Sequence, residues 1–373
     1  MKDSVLTKAL VIEPKKDIYF KEINITKSND SDVLVKWVVS SVCNSERRRF
    51  NLTKSATDKD SFIGGHEAVG IIESENYIAK RYALLPHSNC LTRGEKNICD
   101  LCGEGKENLC SKMRHAGLDK NTPSGFTDQM FVSRSQLFDV TDLDSEISPF
   151  LEPFSCVLRS WKLSKINIKK EKFSIGIIGG GPIGCLHAFY INKENEKNQI
   201  TIIESSEKRR DVLDQVFEKF SNIKISDNKC KSKFDITVMA SSDTSAYNES
   251  FKLLKNDGHL ILFSGFNDTN YIDGSYSPEI VHRHEFIHYY NNKFLVGSSG
   301  YNSEDLIESK RKLIDFNNCL NIITGKVFGL DSRILHRYDG VTKEYDEPVL
   351  IKDIKGELDD HIKVQYFNND YNK

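Results

Sequence analysis

The stretch Phe173-Ser174-Ile175-Gly176-Ile177-Ile178-Gly179-Gly180-Gly181-Pro182-Ile183-Gly184 decides the fold. An apolar strand runs into glycines at G-x-G-x-x-G spacing, and a helix-forming segment opens at Pro182 and Ile183. In that setting Gly179 makes the tight turn, Gly181 lets backbone N–H groups approach a pyrophosphate, and Gly184 permits close helix–strand packing. A second strand, Gln199-Ile200-Thr201-Ile202-Ile203, leads to Glu204, about 20 residues beyond the last glycine, where a carboxylate accepts both ribose hydroxyls of an adenosine. Such a carboxylate repels a 2′-phosphate, so NAD is expected over NADP. Lys208, Arg209 and Arg210 follow closely. They are either a solvated first helical turn or, through Arg209, a cationic contact to the cofactor.

Working outward, the strand–helix alternation continues at Phe234–Met239, His259–Phe263 and Lys293–Gly297, which predicts a doubly wound parallel sheet ending near Ser299. Before Pro153 the pattern is different. Asp32–Val39 alternates with period two, and Gly65–Ile72 reads as a glycine-bounded strand, so residues 1–150 are expected to be mainly β. Beyond Tyr301 the tail carries helical spacing at Leu306, Ile307, Leu313 and Ile314, then apparent strands at Val349–Lys352 and Ile362–Val364. The expected division is α/β: a mainly-β domain from 1–150 and 300–373, interrupted by a nucleotide-binding domain at 151–299. A chain of 373 residues is long enough for two such cores.

Composition excludes several classes. Lys+Arg 52 against Asp+Glu 54 gives neither a basic footprint nor an acidic tail, so no nucleic acid partner is expected. No run approaches the roughly 20 apolar residues that span a bilayer, and Met1-Lys2-Asp3-Ser4 leads into a strand-like segment rather than a signal sequence. A cytoplasmic location, without membrane contact, is the expectation. With nine cysteines in such a chain, thiols that bind metal are a better reading than a disulfide framework.

Cys99-x2-Cys102-x7-Cys110, with Cys90 before them, places four thiols in a hydrophilic loop. Four thiolates around one Zn²⁺ make a closed tetrahedral site whose contribution is to folding. The Leu91–Asn97 insertion makes the Cys90–Cys99 spacing long, which leaves open whether Cys90 reaches the metal. Outside this lobe stand Cys43 in Val42-Cys43-Asn44-Ser45-Glu46, His66 with Glu67 in Gly64-Gly65-His66-Glu67, and Glu152 in Leu151-Glu152-Pro153. Singly these read as a buried thiol, a satisfied histidine and a helix-terminal carboxylate.

Together, in this order, they resemble the zinc-containing medium-chain dehydrogenase/reductase family, particularly its sorbitol, threonine and polyol dehydrogenase branch. That resemblance implies a GroES-like catalytic domain interrupted by a Rossmann domain, with a catalytic zinc between them. It implies Cys43 and His66 as ligands, Glu67 and Glu152 as carboxylates at the metal, and Ser45 as the hydroxyl of a proton relay. It further implies two Zn²⁺ per chain, NAD, a small alcohol or ketone substrate, and a homodimer or homotetramer. The activity implied is hydride transfer between a secondary alcohol carbon and nicotinamide, the metal lowering the pKa of the alcohol.

Three positions depart from the pattern: Asn44 replaces a glycine, Glu46 replaces an aspartate, and Arg48 stands where relatives carry a relay histidine. A guanidinium does not shuttle protons at neutral pH. Arg48, within Arg47-Arg48-Arg49, instead suggests a phosphate-bearing sugar or polyol, or a contact to the cofactor pyrophosphate. The competing readings are a zinc-free quinone or enoyl reductase, against which the cysteines and His66 speak, and a non-catalytic nucleotide-binding homologue. His282, His284 and His288 match no ligand of the family and are assigned to a sheet edge or subunit surface.

Overall fold

The structure is a computed structural model that describes residues 4–28, 30–51, 60–72, 80–117, 124–263, 285–358 and 361–368. His282 and His284 lie outside these residues. The strand Ser174–Ile178 sits in the middle of a seven-stranded sheet, ordered Ile223–Ser226, Gln199–Ile203, Ser174–Ile178, Phe234–Met239, Leu254–Leu262, Lys293–Gly297 and Phe286–Tyr290. All neighbours are parallel except the last pair, which is antiparallel. Adjacent side chains in these strands enter different cores: Ile177 packs with Cys185 and Leu186 on one face, Ile178 with Met239 and Leu260 on the other. A sheet covered on both faces needs an unbroken apolar run, and this is why the strand lacks alternation.

Strand order reverses between Ser174–Ile178 and Phe234–Met239, so a crevice opens at their carboxyl ends, where the glycine turn lies. Gly179 has φ +109°, a region that disfavours side chains, and a Cβ on Gly184 would stand 2.0 Å from the Gly179 carbonyl oxygen. The helix Pro182–Glu194 therefore starts tight against the strand it follows.

A nine-stranded sheet holds most of the remaining β structure, beside the two-stranded pairs Ser4–Glu13 with Asp17–Thr26 and His87–Ser88 with Arg114–His115. Its order is Thr342–Glu344, Ile334–His336, Thr324–Phe328, Lys363–Phe367, Asp32–Ser41, Glu67–Ile72, Arg81–Leu84 and Leu137–Asp139, with Gln129–Ser133 also pairing with Asp32–Ser41. Lys363–Phe367 thus lies antiparallel beside Asp32–Ser41. The helix Ser303–Leu313 packs instead on the helix Leu151–Ser164.

One expectation is corrected: Val349–Lys355 is a helix rather than a strand. Pro348 precedes it and Gly356, at φ +80°, ends it. A run of three buried apolar residues, Val349–Ile351, has no period by which to tell the two apart.

Candidate active site between the two sheets

The register of the second sheet assembles the site. Ser41 pairs with Glu67 on one side and with Gln365 on the other. Cys43, His66 and Lys363, each within two residues of that row, consequently meet at one end of the sheet. One donor atom from each of Cys43, His66 and Glu67 lies within 4.8 Å of the others. Glu152 is not part of this group. Its Oε1 accepts a contact from Cys156 Sγ at 3.7 Å, one turn along the helix Leu151–Ser164.

Glu46 organises the cluster from behind. Cys43 precedes the helix Asn44–Phe50, and its N–H donates to Glu46 Oε2 at 2.7 Å. The N–H of Gly65 donates to Glu46 Oε1 at 3.0 Å, and His66 Nδ1 lies 2.7 Å from the same oxygen. The ring nitrogen opposite remains for the cluster. The extra methylene of Glu46 fits because Gly64 has no side chain, where a Cβ would stand 2.8 Å from Glu46 Cγ. Burial opposes a charge on His66, but Glu46 and Cys43 beside it hold the imidazole well above its ordinary pKa. Such a field favours a cation among these atoms, and a metal ion fits that demand.

Glu67 is held by two donors, Lys363 Nζ and Ser41 Oγ, both to Oε2. Lys363 also donates to the Val42 carbonyl at 2.9 Å. Burial disfavours its ammonium, yet Glu67 and Cys43 raise its pKa. Glu152 is different: burial pushes its carboxyl up to about 7, with His66 opposing the shift and Glu67 adding to it.

The three arginines diverge, as neighbours on a helical turn must. Arg47 pairs with Asp353, which also accepts Tyr366 OH at 2.7 Å. Arg49 lies over the Phe62 ring at 4.3 Å. Arg48 is half-buried, and desolvation lowers its pKa while Cys43 opposes the shift. Ser45 Oγ is buried with no hydrogen-bond partner among the described residues.

Two further groups near the cluster had no signal in the sequence. The Tyr301 hydroxyl is buried without a partner among the described residues, its pKa held well up by burial, Glu152 and Cys156. His87, whose ring centroid is 5.2 Å from that of Tyr301, is pushed down to about 3 by burial and by His115 and His66. Its Nδ1 is buried and unpartnered.

Across the cleft lies the glycine turn. Cys43, Arg47, Glu67 and Lys363 line the same space as Pro182 and Ile183. A Cβ on Gly181 would meet only Arg209 Nη1, at 3.9 Å, so this turn is open where a phosphate would lie. Glu204 closes the turn from the neighbouring strand, accepting the Gly180 and Ser206 N–H groups at 2.9 Å each. Arg210 donates to the carbonyl oxygens of Glu204 and Ser205 at 2.9 and 2.7 Å.

In the cysteine lobe, Cys90, Cys99, Cys102 and Cys110 all lie together, so the long spacing does not displace Cys90. Cys110 Sγ is 3.5 Å from Cys90 Sγ and 3.8 Å from Cys99 Sγ, and none of the four forms a disulfide. Thiolates about 2.3 Å from a tetrahedral zinc stand about 3.8 Å apart, so the lobe fits that ion.

Residues 29–142 match the family model described as the alcohol dehydrogenase GroES-like domain. The chain is similar to (R,R)-butanediol dehydrogenase of Saccharomyces cerevisiae, 27% identical over 61% of this chain and 60% of that one. It is 25% identical to sorbitol dehydrogenase of Bombyx mori over 48% of this chain and 51% of that one. The match therefore spans about half to three fifths of these relatives. Among solved structures, L-idonate 5-dehydrogenase of Escherichia coli superposes with a TM-score of 0.69 at 19% identity, covering 98% of this chain and 99% of the other. At that identity the likeness is one of fold.

Proposed function

We propose that this chain, which belongs to the zinc-containing medium-chain dehydrogenase/reductase family, is an NAD-dependent dehydrogenase of secondary alcohols with two zinc ions per chain. The observation that carries the reading is the single cleft lined both by Cys43 and Glu67 and by Pro182 and Ile183. A metal-ligating set and a pyrophosphate turn facing one space suit hydride exchange between a bound alcohol and nicotinamide.

When bound by Cys43, His66 and a carboxylate, zinc would polarise the alcohol or ketone oxygen as a Lewis acid. Glu46 fixes His66 from its far side, as the outer partner of a metal-ligating histidine does. Of the two carboxylates, Glu67 is already neutralised by Lys363. It is nonetheless the carboxylate grouped with Cys43 and His66, so Glu67 is assigned the third protein position, and Glu152, outside that group, is the second carboxylate at the site. Ser45, with its hydroxyl buried and unpaired, passes the alcohol proton outward. Glu204 receives the adenosine ribose, and Arg209 stands beside the pyrophosphate turn.

A polyhydroxylated substrate is supported by His87 Nδ1 and Tyr301 OH, two buried polar groups that lack partners among the described residues. A phosphate-bearing substrate is a narrower reading that rests on the position of Arg48 on the helix Asn44–Phe50, directly after Cys43. The test is NAD reduction with a panel of secondary alcohols, polyols and polyol phosphates on zinc-loaded protein. Turnover on none of them, with cofactor bound, would favour a non-catalytic nucleotide-binding protein.

A further inference from the structure

The cysteine lobe is bolted to the nucleotide-binding side of the same chain. Asn108, two residues before Cys110, lies in the short 3-10 turn Glu107–Leu109 and is buried. Its Nδ2 donates to Glu285 Oε1 and to the Ser299 carbonyl, both at 2.8 Å. Glu285 is gripped from the other side by Arg159, whose Nε and Nη2 donate at 2.7 and 2.6 Å. Arg159 belongs to the helix Leu151–Ser164, two turns beyond Glu152. The neighbouring Glu107 accepts the Ser303 N–H at 3.0 Å. One short turn thus holds the chain at Ser299 and Ser303, on both sides of Tyr301.

Polar contacts such as those of Arg93 and Lys112 with Glu95 brace the lobe, but its apolar core is small. Its buried core consists of Cys90, Cys102 and Cys110, with Cys99 and Met113 packed against them. That cluster is made mostly of the four thiols, so an ion between the sulfurs would bind residues 90–110 through their own core. A bidentate arginine–carboxylate pair that also receives an amide is specific in geometry and sensitive to the loss of any member.

We propose that the cysteine lobe is a positioning element of the reaction cleft. Metal in the lobe fixes Glu107–Leu109, and Asn108 and Glu107 then fix both the helix that carries Glu152 and the segment that carries Tyr301. Asn108 is a positioning residue, acting through Glu285 and Arg159. The effect on catalysis rests on the dehydrogenase reading; the mechanical coupling does not.

Deuterium exchange on the full-length, zinc-loaded protein tests the coupling. Asn108→Ala is expected to speed exchange in residues 151–164 and 303–313 on the order of tenfold, as suits the loss of one charge-assisted hydrogen bond, while 174–178 and 199–203 stay unchanged. Cys99→Ser, or chelation of the wild type if that variant does not fold, should produce the same pattern. Adding Asn108→Ala to Cys99→Ser should then change it no further. Unchanged exchange in the two helices, a uniform rise through the strands, or fully additive effects would each overturn the proposal. In turnover, Asn108→Ala should lower kcat with KM for NAD unchanged; a change confined to KM for NAD would overturn the positioning of Glu152. Exchange is read without substrate, so a wild type that oxidises no alcohol would sink the dehydrogenase reading alone.

Discussion

Lys363 and Glu67 form an ion pair whose side chains are only 5% and 2% exposed, at the end of a sheet where Cys43 and His66 also converge. Removing one member leaves a buried charge that water cannot reach. Lys363→Met is expected to destabilise the metal-depleted protein by about 3–5 kcal/mol in urea unfolding. The double variant Lys363→Met with Glu67→Gln should recover most of the loss. A single variant as stable as the wild type would show that the pair does not stabilise the fold.

The two ligand sets predict two zinc ions per chain in protein that has not been dialysed against chelator. Cys99→Ser should remove one and chiefly lower stability. His66→Ala should abolish turnover with the fold intact. Metal analysis returning at most one zinc for the wild type would contradict the two-site reading.

Cofactor choice rests on Glu204. Glu204→Ala should raise KM for NAD by about tenfold, the worth of a hydrogen bond to a charged group, and relieve the exclusion of NADP. A wild type with lower KM and higher turnover on NADP than on NAD would show that Glu204 does not discriminate.

His187 supplies an acid-side signature away from both metal sets. It is fully buried, accepts Trp161 Nε1–H at 2.9 Å on Nδ1, and burial lowers its pKa to about 3. The unfolded chain takes up this proton near the ordinary value of 6.5 and the folded one only near 3. The stability contributed is fully present above pH 6.5 and is lost progressively as pH falls through that window. His187→Gln should flatten the fall between pH 6 and pH 4 by about 1.4 kcal/mol per pH unit, one proton's worth. Parallel curves for variant and wild type would mean that the ring does not stay neutral.

The parts of the site that were legible from sequence are those fixed by local geometry. The glycine turn and Glu204 are set by strand, turn and helix in immediate succession, and Cys99, Cys102 and Cys110 by short spacings, whereas the longer spacing left Cys90 open. Lys363 was not legible. Ile362-Lys363-Val364 looks like a strand with a solvated lysine, and only the register with Ser41 turns that lysine toward Glu67. Tyr301 and His87 were invisible for a related reason: a tyrosine or histidine between predicted strands carries no mark of its burial. The helix Val349–Lys355 was misread because its apolar run is short, and its role, presenting Asp353 to Arg47, depends on a contact 306 positions away in sequence.

The glycine turn also separates two kinds of constraint. A methyl group at Gly184 would collide with the backbone of Gly179, whereas one at Gly181 would find no protein atom nearer than 3.9 Å. The first position answers to the chain itself and the second to whatever occupies the turn. Gly181 is accordingly a place where affinity for a nucleotide can be tuned while the architecture is left alone, a dial set into an otherwise rigid frame.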